Sequence, residues 1–327
     1  MATADQVKAL VRSHADGDDG HFYAVAMQVA ARAAKAGQSR FAQELRELVD
    51  AAKAASQQGG RQLRPVPVTQ PRGDLASLLA VSYPDQRLGD LVVDDYVRSS
   101  LERVLAEQRQ QDRLMEYGFE PVRSLLFVGP PGTGKTMSAS VLAGELHLPL
   151  FLIRLESVIT KFMGETSAKL RLIFDAADDT RGVYFFDEVD ALAGDRSSAN
   201  DVGEIRRVLN SFLQFLEQHH SSSILIAATN HPQLLDRAIF RRFGLVIDYS
   251  LPTPELARAV IRNRLASLST RGLNWRRIDQ SAVGLSHAEL TIACEQAAKQ
   301  TILTKEPRVT TDLLVAALDE RRRSSIV

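Results

Sequence analysis

A single cysteine, Cys294, occurs in the 327 residues, which excludes an internal disulfide framework and fits a reducing compartment. Set among Ala and Ile on a predicted helix, it reads as a small core residue rather than a nucleophile. Neither charge predominates: 40 Lys+Arg stand against 40 Asp+Glu. The chain therefore has no global field to recruit nucleic acid or a membrane surface, which leaves only local patches. No stretch approaches the ~20 apolar residues of a membrane span. The N-terminus also lacks a basic-then-apolar signal pattern, so the expected site of action is the cytoplasm. Neither H-E-x-x-H nor G-x-S-x-G occurs, which removes two common protease and hydrolase centres. His219-His220 offers metal-ligand residue types without a third ligand and reads as a solvated helix end. Arg321-Arg322-Arg323 reads as a second solvated helix end that suits the helix dipole.

What the chain does have is an ordinary globular composition, 45% hydrophobic and 24% charged, enough for a full core in two or three domains. Its most informative stretch is Gly129-Pro130-Pro131-Gly132-Thr133-Gly134-Lys135-Thr136, which satisfies the phosphate-binding pattern G-x-x-x-x-G-K-[ST]. Arg123 to Val128 before it reads as a short buried strand, and Met137 to Leu146 after it carries Ala, Val and Leu at helical spacing. In that context the backbone N–H groups of the loop wrap phosphates, Lys135 reaches β and γ oxygens, and the Thr136 hydroxyl ligates Mg²⁺ at a positively polarised helix start. A nucleotide and Mg²⁺ are the implied ligands.

The remaining chain divides by pattern. Residues 1–56 are helix formers interrupted at Asp16-Gly17-Asp18-Asp19-Gly20 and Gly37-Gln38-Ser39, which predicts a small three-helix bundle, either self-contained or presenting a face to a partner helix. Residues 57–74 are polar and Pro-interrupted, as in a tether. From 75 to 251 short apolar strands alternate with helices, the signature of a parallel α/β sheet. The strands are expected at 123–128, 150–154, 183–187, 224–228 and 245–248. After Pro252 and Pro254, residues 252–327 are helical and form a separate lid.

Val183-Tyr184-Phe185-Phe186-Asp187-Glu188 is an apolar strand ending in two carboxylates at the carboxyl edge of the sheet, beside the phosphate loop. Asp187 is expected to hold the Mg²⁺ shell, directly or through water, and Glu188 to orient and deprotonate an attacking water.

Together the phosphate loop with its two prolines, Asp187-Glu188-Val189-Asp190-Ala191-Leu192 and Ala228-Thr229-Asn230 resemble the AAA branch of the AAA+ ATPases over about residues 75–325. The resemblance implies a five-stranded parallel sheet with a C-terminal helical lid. It also implies nucleotide held between neighbouring subunits of a homo-oligomeric ring, usually a hexamer. Asn230 then matches the polar residue that senses γ-phosphate and positions water; otherwise it is a turn residue ahead of His231-Pro232. Arg241-Arg242-Phe243 resembles the family's arginines that act on the neighbouring subunit, the alternative being surface charges paired with acids. Phe162 and Met163, in Lys161-Phe162-Met163-Gly164-Glu165, occupy the place of a pore loop that grips polypeptide, unless Phe162 is packed core. Gly284-Leu285-Ser286-His287-Ala288-Glu289-Leu290 approximates the closing motif. There His287 replaces a small glycine and either contacts nucleotide, senses pH or caps a helix, the cap being favoured.

A narrower resemblance rests on Val11-Arg12-Ser13-His14-Ala15-Asp16-Gly17-Asp18-Asp19 with Phe22-Tyr23-Ala24-Val25-Ala26, and on Asp201-Val202-Gly203-Glu204-Ile205-Arg206-Arg207. These strings look like bacterial stand-alone AAA ATPases encoded beside a subtilisin-like serine peptidase, in toxin–antitoxin or phage-defence modules. The resemblance implies an ATP-hydrolysing protein remodeller or regulator. An ATP-controlled binding switch that threads nothing is the competing expectation. A DNA-remodelling role is weakened by the balanced charge and the lack of a recognisable DNA-binding helix pair.

Overall fold

The computed structural model describes residues 73–159, 163–193, 201–304 and 308–324, with position 43 besides. The expected N-terminal bundle, apart from position 43, lies outside the described residues, as do Lys161 and Phe162. The elements from residue 75 onward belong to one compact unit, Val66–Val327. They begin with α1 (Leu75–Leu78), β1 (Leu79–Ser82), α2 (Asp95–Arg109), α3 (Gln111–Glu116), β2 (Ser124–Val128), α4 (Lys135–Leu146) and β3 (Leu150–Ile153). Next come α5 (Leu155–Val158), α6 (Met163–Asp179), β4 (Val183–Phe186), α7 (Asp201–Gln218), β5 (Ile224–Thr229), α8 (Arg237–Phe240) and β6 (Leu245–Asp248). The chain closes with α9 (Pro254–Arg264), α10 (Trp275–Ala282), α11 (His287–Leu303) and α12 (Thr311–Ser324).

The sheet has six strands in the order β1-β3-β4-β5-β2-β6. Five are parallel and match the expected strands; β1 is an additional edge strand, antiparallel to β3 with Leu79 opposite Ile153. Leu79-Ala80-Val81-Ser82 is too short and too weakly patterned to announce itself, and it exists as a strand because β3 offers a free edge to pair with.

Strands β2, β4 and β5 are buried on both faces, which is why they read as continuous apolar runs. Side chains alternate across the pleat: Leu125, Phe127, Val183, Phe185, Ile224 and Ile226 pack with α2 and α4 on one face. Leu126, Val128, Tyr184, Phe186, Leu225 and Ala227 pack with α6 and α7 on the other. The four last helices enclose a third core around Ile261, Ile278, Leu290, Cys294, Leu314 and Leu318. Cys294 is fully buried there, and burial pushes its thiol up to about 12, as befits a packing residue.

Two glycines permit close packing that any side chain would prevent. A Cβ on Gly129, whose φ is +147°, would lie 2.2 Å from the Tyr249 carbonyl oxygen. One on Gly144, inside α4, would lie 2.3 Å from the Gln86 carbonyl oxygen, where Arg87 also donates from Nη1 to the Gly144 carbonyl at 2.6 Å.

One sequence expectation fails at the end of α7. His220 is exposed, but His219 is not a solvated helix end: its side chain is only 2% exposed, and Nδ1 lies 2.8 Å from an Asp178 carboxylate oxygen. Its Nε2 faces the Ser221 hydroxyl at 3.1 Å, and its ring meets Phe174 edge-on. Burial holds the imidazole below its ordinary pKa, against the opposing pull of the Ser223 carbonyl and the Asp178 carboxylate.

Candidate nucleotide site

The phosphate loop joins β2 to α4 at the carboxyl edge of the sheet, where ligands of open parallel sheets bind. Gly134, with φ of +105°, occupies the N-cap position of α4 and supplies no capping side chain. The first N–H groups of this twelve-residue helix are thus left for an anion. Gly132 and Gly129 also take positive φ, which turns the loop without the strain a side chain would add.

Lys135 is 6% exposed, and its ammonium donates at 2.8 Å to the carbonyls of both Gly129 and Pro130. Burial lowers its pKa, while Asp187, Asp190 and Glu188 in turn oppose that shift. A buried ammonium whose hydrogen bonds go to carbonyls of its own loop can exchange them for phosphate oxygens. Thr133 is buried and its hydroxyl donates to the Pro130 carbonyl at 2.8 Å, bracing the loop from inside. Pro130, Pro131 and Thr136 are exposed.

The structure brings the acidic pair to this loop. The Thr136 hydroxyl donates to Asp187 Oδ2 at 3.1 Å. Asp187 and Glu188 lie just beyond the end of β4, and Glu188 adopts φ of +53°. A left-handed non-glycine residue costs roughly 1–2 kcal/mol and persists where surrounding contacts hold it. Here the Glu188 N–H donates to Asp187 Oδ1 at 3.0 Å, and Asn230 Nδ2 approaches Glu188 Oε1 at 3.4 Å. Asn230 Oδ1 is buried and has no hydrogen-bond partner among the described residues, an acceptor open to a ligand or water. This donor set fits a magnesium nucleotide: one hydroxyl and one carboxylate suit a cation that keeps most of its waters. Among the described residues no cluster of three or more His, Cys, Asp or Glu could cage a metal by itself.

The arginine pair is split by its surroundings. Arg242 Nε lies 2.9 Å from Glu217 Oε1, whereas Arg241 is exposed and has no ion-pair partner among the described residues. Met163 begins α6, while Phe162 lies outside the described residues.

His287 does not cap α11. Ser286 does, accepting from the Glu289 N–H at 3.3 Å while the Glu289 carboxylate accepts from the Ser286 N–H at 2.7 Å, a capping box that Ser286-x-x-Glu289 spells out in the sequence. His287 occupies the first helical position, with both ring nitrogens buried and without a hydrogen-bond partner among the described residues. Burial lowers its pKa, and Asp94 opposes the shift. The same helix start touches the phosphate loop, because the Ala288 N–H donates to the Gly132 carbonyl at 3.0 Å.

Sequence reasoning gave no role to Thr229 and Asp190, whose side chains hydrogen-bond at 2.7 Å. The signal that pointed to them was their place in the two strand-end motifs.

The fold and this site define a phosphate-loop nucleotide-binding protein with paired strand-end carboxylates. Comparison with known proteins narrows the class. Residues 125–251 match the family model for ATPases associated with various cellular activities (AAA). The chain is 32% identical over 325 residues to the uncharacterized AAA family ATPase y4kL of Sinorhizobium fredii, covering 99% of this chain and 97% of that one. It is also 31% identical over 237 residues to the ATP-dependent zinc metalloprotease FtsH of Lancefieldella parvula, covering 70% of this chain but only 37% of that relative. Among solved structures, the AAA domain of FIGL-1 superposes with a TM-score of 0.61 at 23% identity over 81% of this chain and 97% of that one. This chain belongs to the AAA family of ATPases.

Proposed function

We propose that this chain is an ATP-hydrolysing protein remodeller that works as a homo-oligomeric ring, hexameric in the simplest case, with nucleotide at the boundary between subunits. The observation that carries the reading is the convergence of Lys135, Thr136, Asp187, Glu188 and Asn230 on one sheet edge, with Thr136 and Asp187 3.1 Å apart and Asn230 3.4 Å from Glu188. Magnesium, when bound with ATP, supplies positive charge to the phosphate oxygens. Lys135 exchanges the Gly129 and Pro130 carbonyls for phosphate oxygens, and the N–H groups at the start of α4 complete the cradle. Thr136 and Asp187 would hold the magnesium ion, directly or through its waters. Glu188 takes a proton from water while Asn230 holds that water. Arg241, without an ion-pair partner among the described residues, serves a neighbouring subunit, with Arg242 held in reserve by Glu217. The expected result is Mg²⁺-dependent ATP turnover by the purified chain that vanishes in Glu188→Gln; a wild-type protein inert toward ATP would overturn the reading.

In this reading the substrate is polypeptide, gripped by Phe162 and Met163 and recruited by the helical bundle of residues 1–56. A subtilisin-like serine peptidase is the candidate partner, in the cytoplasm, in an antitoxin or antiviral defence role. Similarity to an FtsH and to a putative 26S proteasome regulatory subunit homolog of Methanothermobacter marburgensis, the latter 27% identical over 253 residues and 72% of this chain, supports the link to proteolytic machinery. Among the described residues no helix is long and apolar enough to cross a membrane. The bond from Ala288 to Gly132 supports a second reading, in which nucleotide moves the helical lid and thereby switches partner binding without threading. Retained partner control in a stable, hydrolysing Phe162→Ala protein would favour this switch.

A further inference from the structure

Thr229 is the last residue of β5 and is fully buried. Three elements of the site meet on it. Its carbonyl accepts from the Gly129 N–H at 3.2 Å, which ties it to the first residue of the phosphate loop. Its hydroxyl donates to Asp190 Oδ1 at 2.7 Å, and Thr229 Oγ1 also accepts from the His231 N–H at 3.0 Å. The second bond closes the turn that presents Asn230. Asp190 in turn stands two residues beyond Glu188, in the 3₁₀ turn Val189–Ala193, which is anchored by the Ala191 N–H donating to the Glu188 carbonyl at 2.8 Å. The hydroxyl has one proton and two lone pairs. Asp190 takes the proton, and the His231 N–H occupies one lone pair.

We propose that Thr229 and Asp190 are positioning residues for hydrolysis: their hydrogen bond holds the Asn230 turn against the Glu188 turn and registers both to the phosphate loop. The proposal rests on the hydrolytic reading of Glu188 and Asn230 given above. Without the bond, the strained Glu188 backbone and the Asn230 amide lose the clamp that keeps them 3.4 Å apart. A misplacement of about 1 Å at a reacting centre can cost on the order of 100-fold in rate. Neither residue needs to touch nucleotide for this effect.

The test uses the full chain with Thr229→Val, Thr229→Ser, Asp190→Ala and Asp190→Asn. It measures kcat and KM for Mg·ATP, the melting temperature, and hydrogen exchange at the His231 amide without nucleotide. Thr229→Val and Asp190→Ala should lower kcat by ~10–100-fold with little change in KM. Thr229→Ser keeps the hydroxyl and Asp190→Asn keeps an acceptor, so both should retain most turnover. Thr229→Val should speed exchange at His231, and Thr229→Ser should restore protection. The Thr229→Val/Asp190→Ala double variant should be no slower than the worse single variant, since both cut one bond. Full turnover in Thr229→Val, or equal loss in Asp190→Asn and Asp190→Ala, overturns the positioning role while leaving hydrolysis by Glu188 standing. Undiminished turnover in Glu188→Gln would instead overturn the hydrolytic reading itself.

Discussion

The Thr136 hydroxyl donates to Asp187 Oδ2 at 3.1 Å across 51 positions of sequence. That contact joins the start of α4 to the end of β4 and brings together the two halves of the proposed site, one for binding phosphate and one for activating water. The first prediction separates those halves. Lys135→Ala should abolish nucleotide binding, measured by titration with a fluorescent ATP analogue, because nothing else buried in the loop carries positive charge. Glu188→Gln should keep binding and lose turnover. Equal loss of binding in both would contradict the division of roles.

The arginines should behave unequally. Arg241→Ala should bind ATP normally but hydrolyse it ~10³-fold or more slowly, the scale of an arginine acting on the γ-phosphate. Arg242→Ala should have the smaller effect, because its guanidinium is engaged by Glu217 at 2.9 Å. Mixing Arg241→Ala with Lys135→Ala subunits should recover some turnover if sites are shared between subunits; no recovery at any ratio would argue against sharing.

Acid should destabilise the fold. His219 and His287 are both held below the ordinary imidazole pKa by burial, so below about pH 6.5 the unfolded chain takes up protons that the folded chain refuses. Their stabilising contribution is present above that pH and is lost as pH falls. Denaturant midpoints measured at pH 7.5 and 5.5 should therefore drop, and the drop should shrink in His219→Gln. A midpoint that rises on acidification would show that the Asp178 pairing outweighs burial.

Gly144→Ala reverses the usual helix rule. In an exposed helix interior this change stabilises by ~1 kcal/mol, but here the added Cβ would sit 2.3 Å from the Gln86 carbonyl oxygen. The overpacking should cost ~1–3 kcal/mol, visible as a lower melting temperature. Gly164→Ala, where a Cβ meets nothing within 4 Å, serves as the comparison.

Phe162→Ala should leave basal ATP turnover and the melting temperature intact while abolishing action on a polypeptide substrate, if Phe162 grips. A packed Phe162 would instead cost ~3–5 kcal/mol on truncation, and a thermal melt beside the ATPase assay tells the two apart.

The phosphate loop was legible because a glycine-rich anion cradle needs few residue types in a fixed local order, and β2, β4 and β5 because burial on both faces writes itself as unbroken apolar runs. β1 was not legible, since an edge strand owes its existence to the neighbour it pairs with. The Ser286 cap was spelled by Ser286-x-x-Glu289, yet the departure at His287 drew the helix start one residue too far.

The sequence by itself determined the kind of chemistry: a lysine and a hydroxyl at a helix start, two carboxylates at a strand end, and an amide after another strand. These follow from local patterns of 3.6 and 2 residues that any short window displays. Only the tertiary structure decided which groups meet. It paired Arg242 with Glu217 and left Arg241 without an ion pair among the described residues, buried His219 beside Asp178, twisted Glu188 into a left-handed conformation, and set Thr229 against Asp190. The physical reason is that sheet order and helix packing fix distances between residues far apart in the chain, and burial then decides which polar groups must find partners.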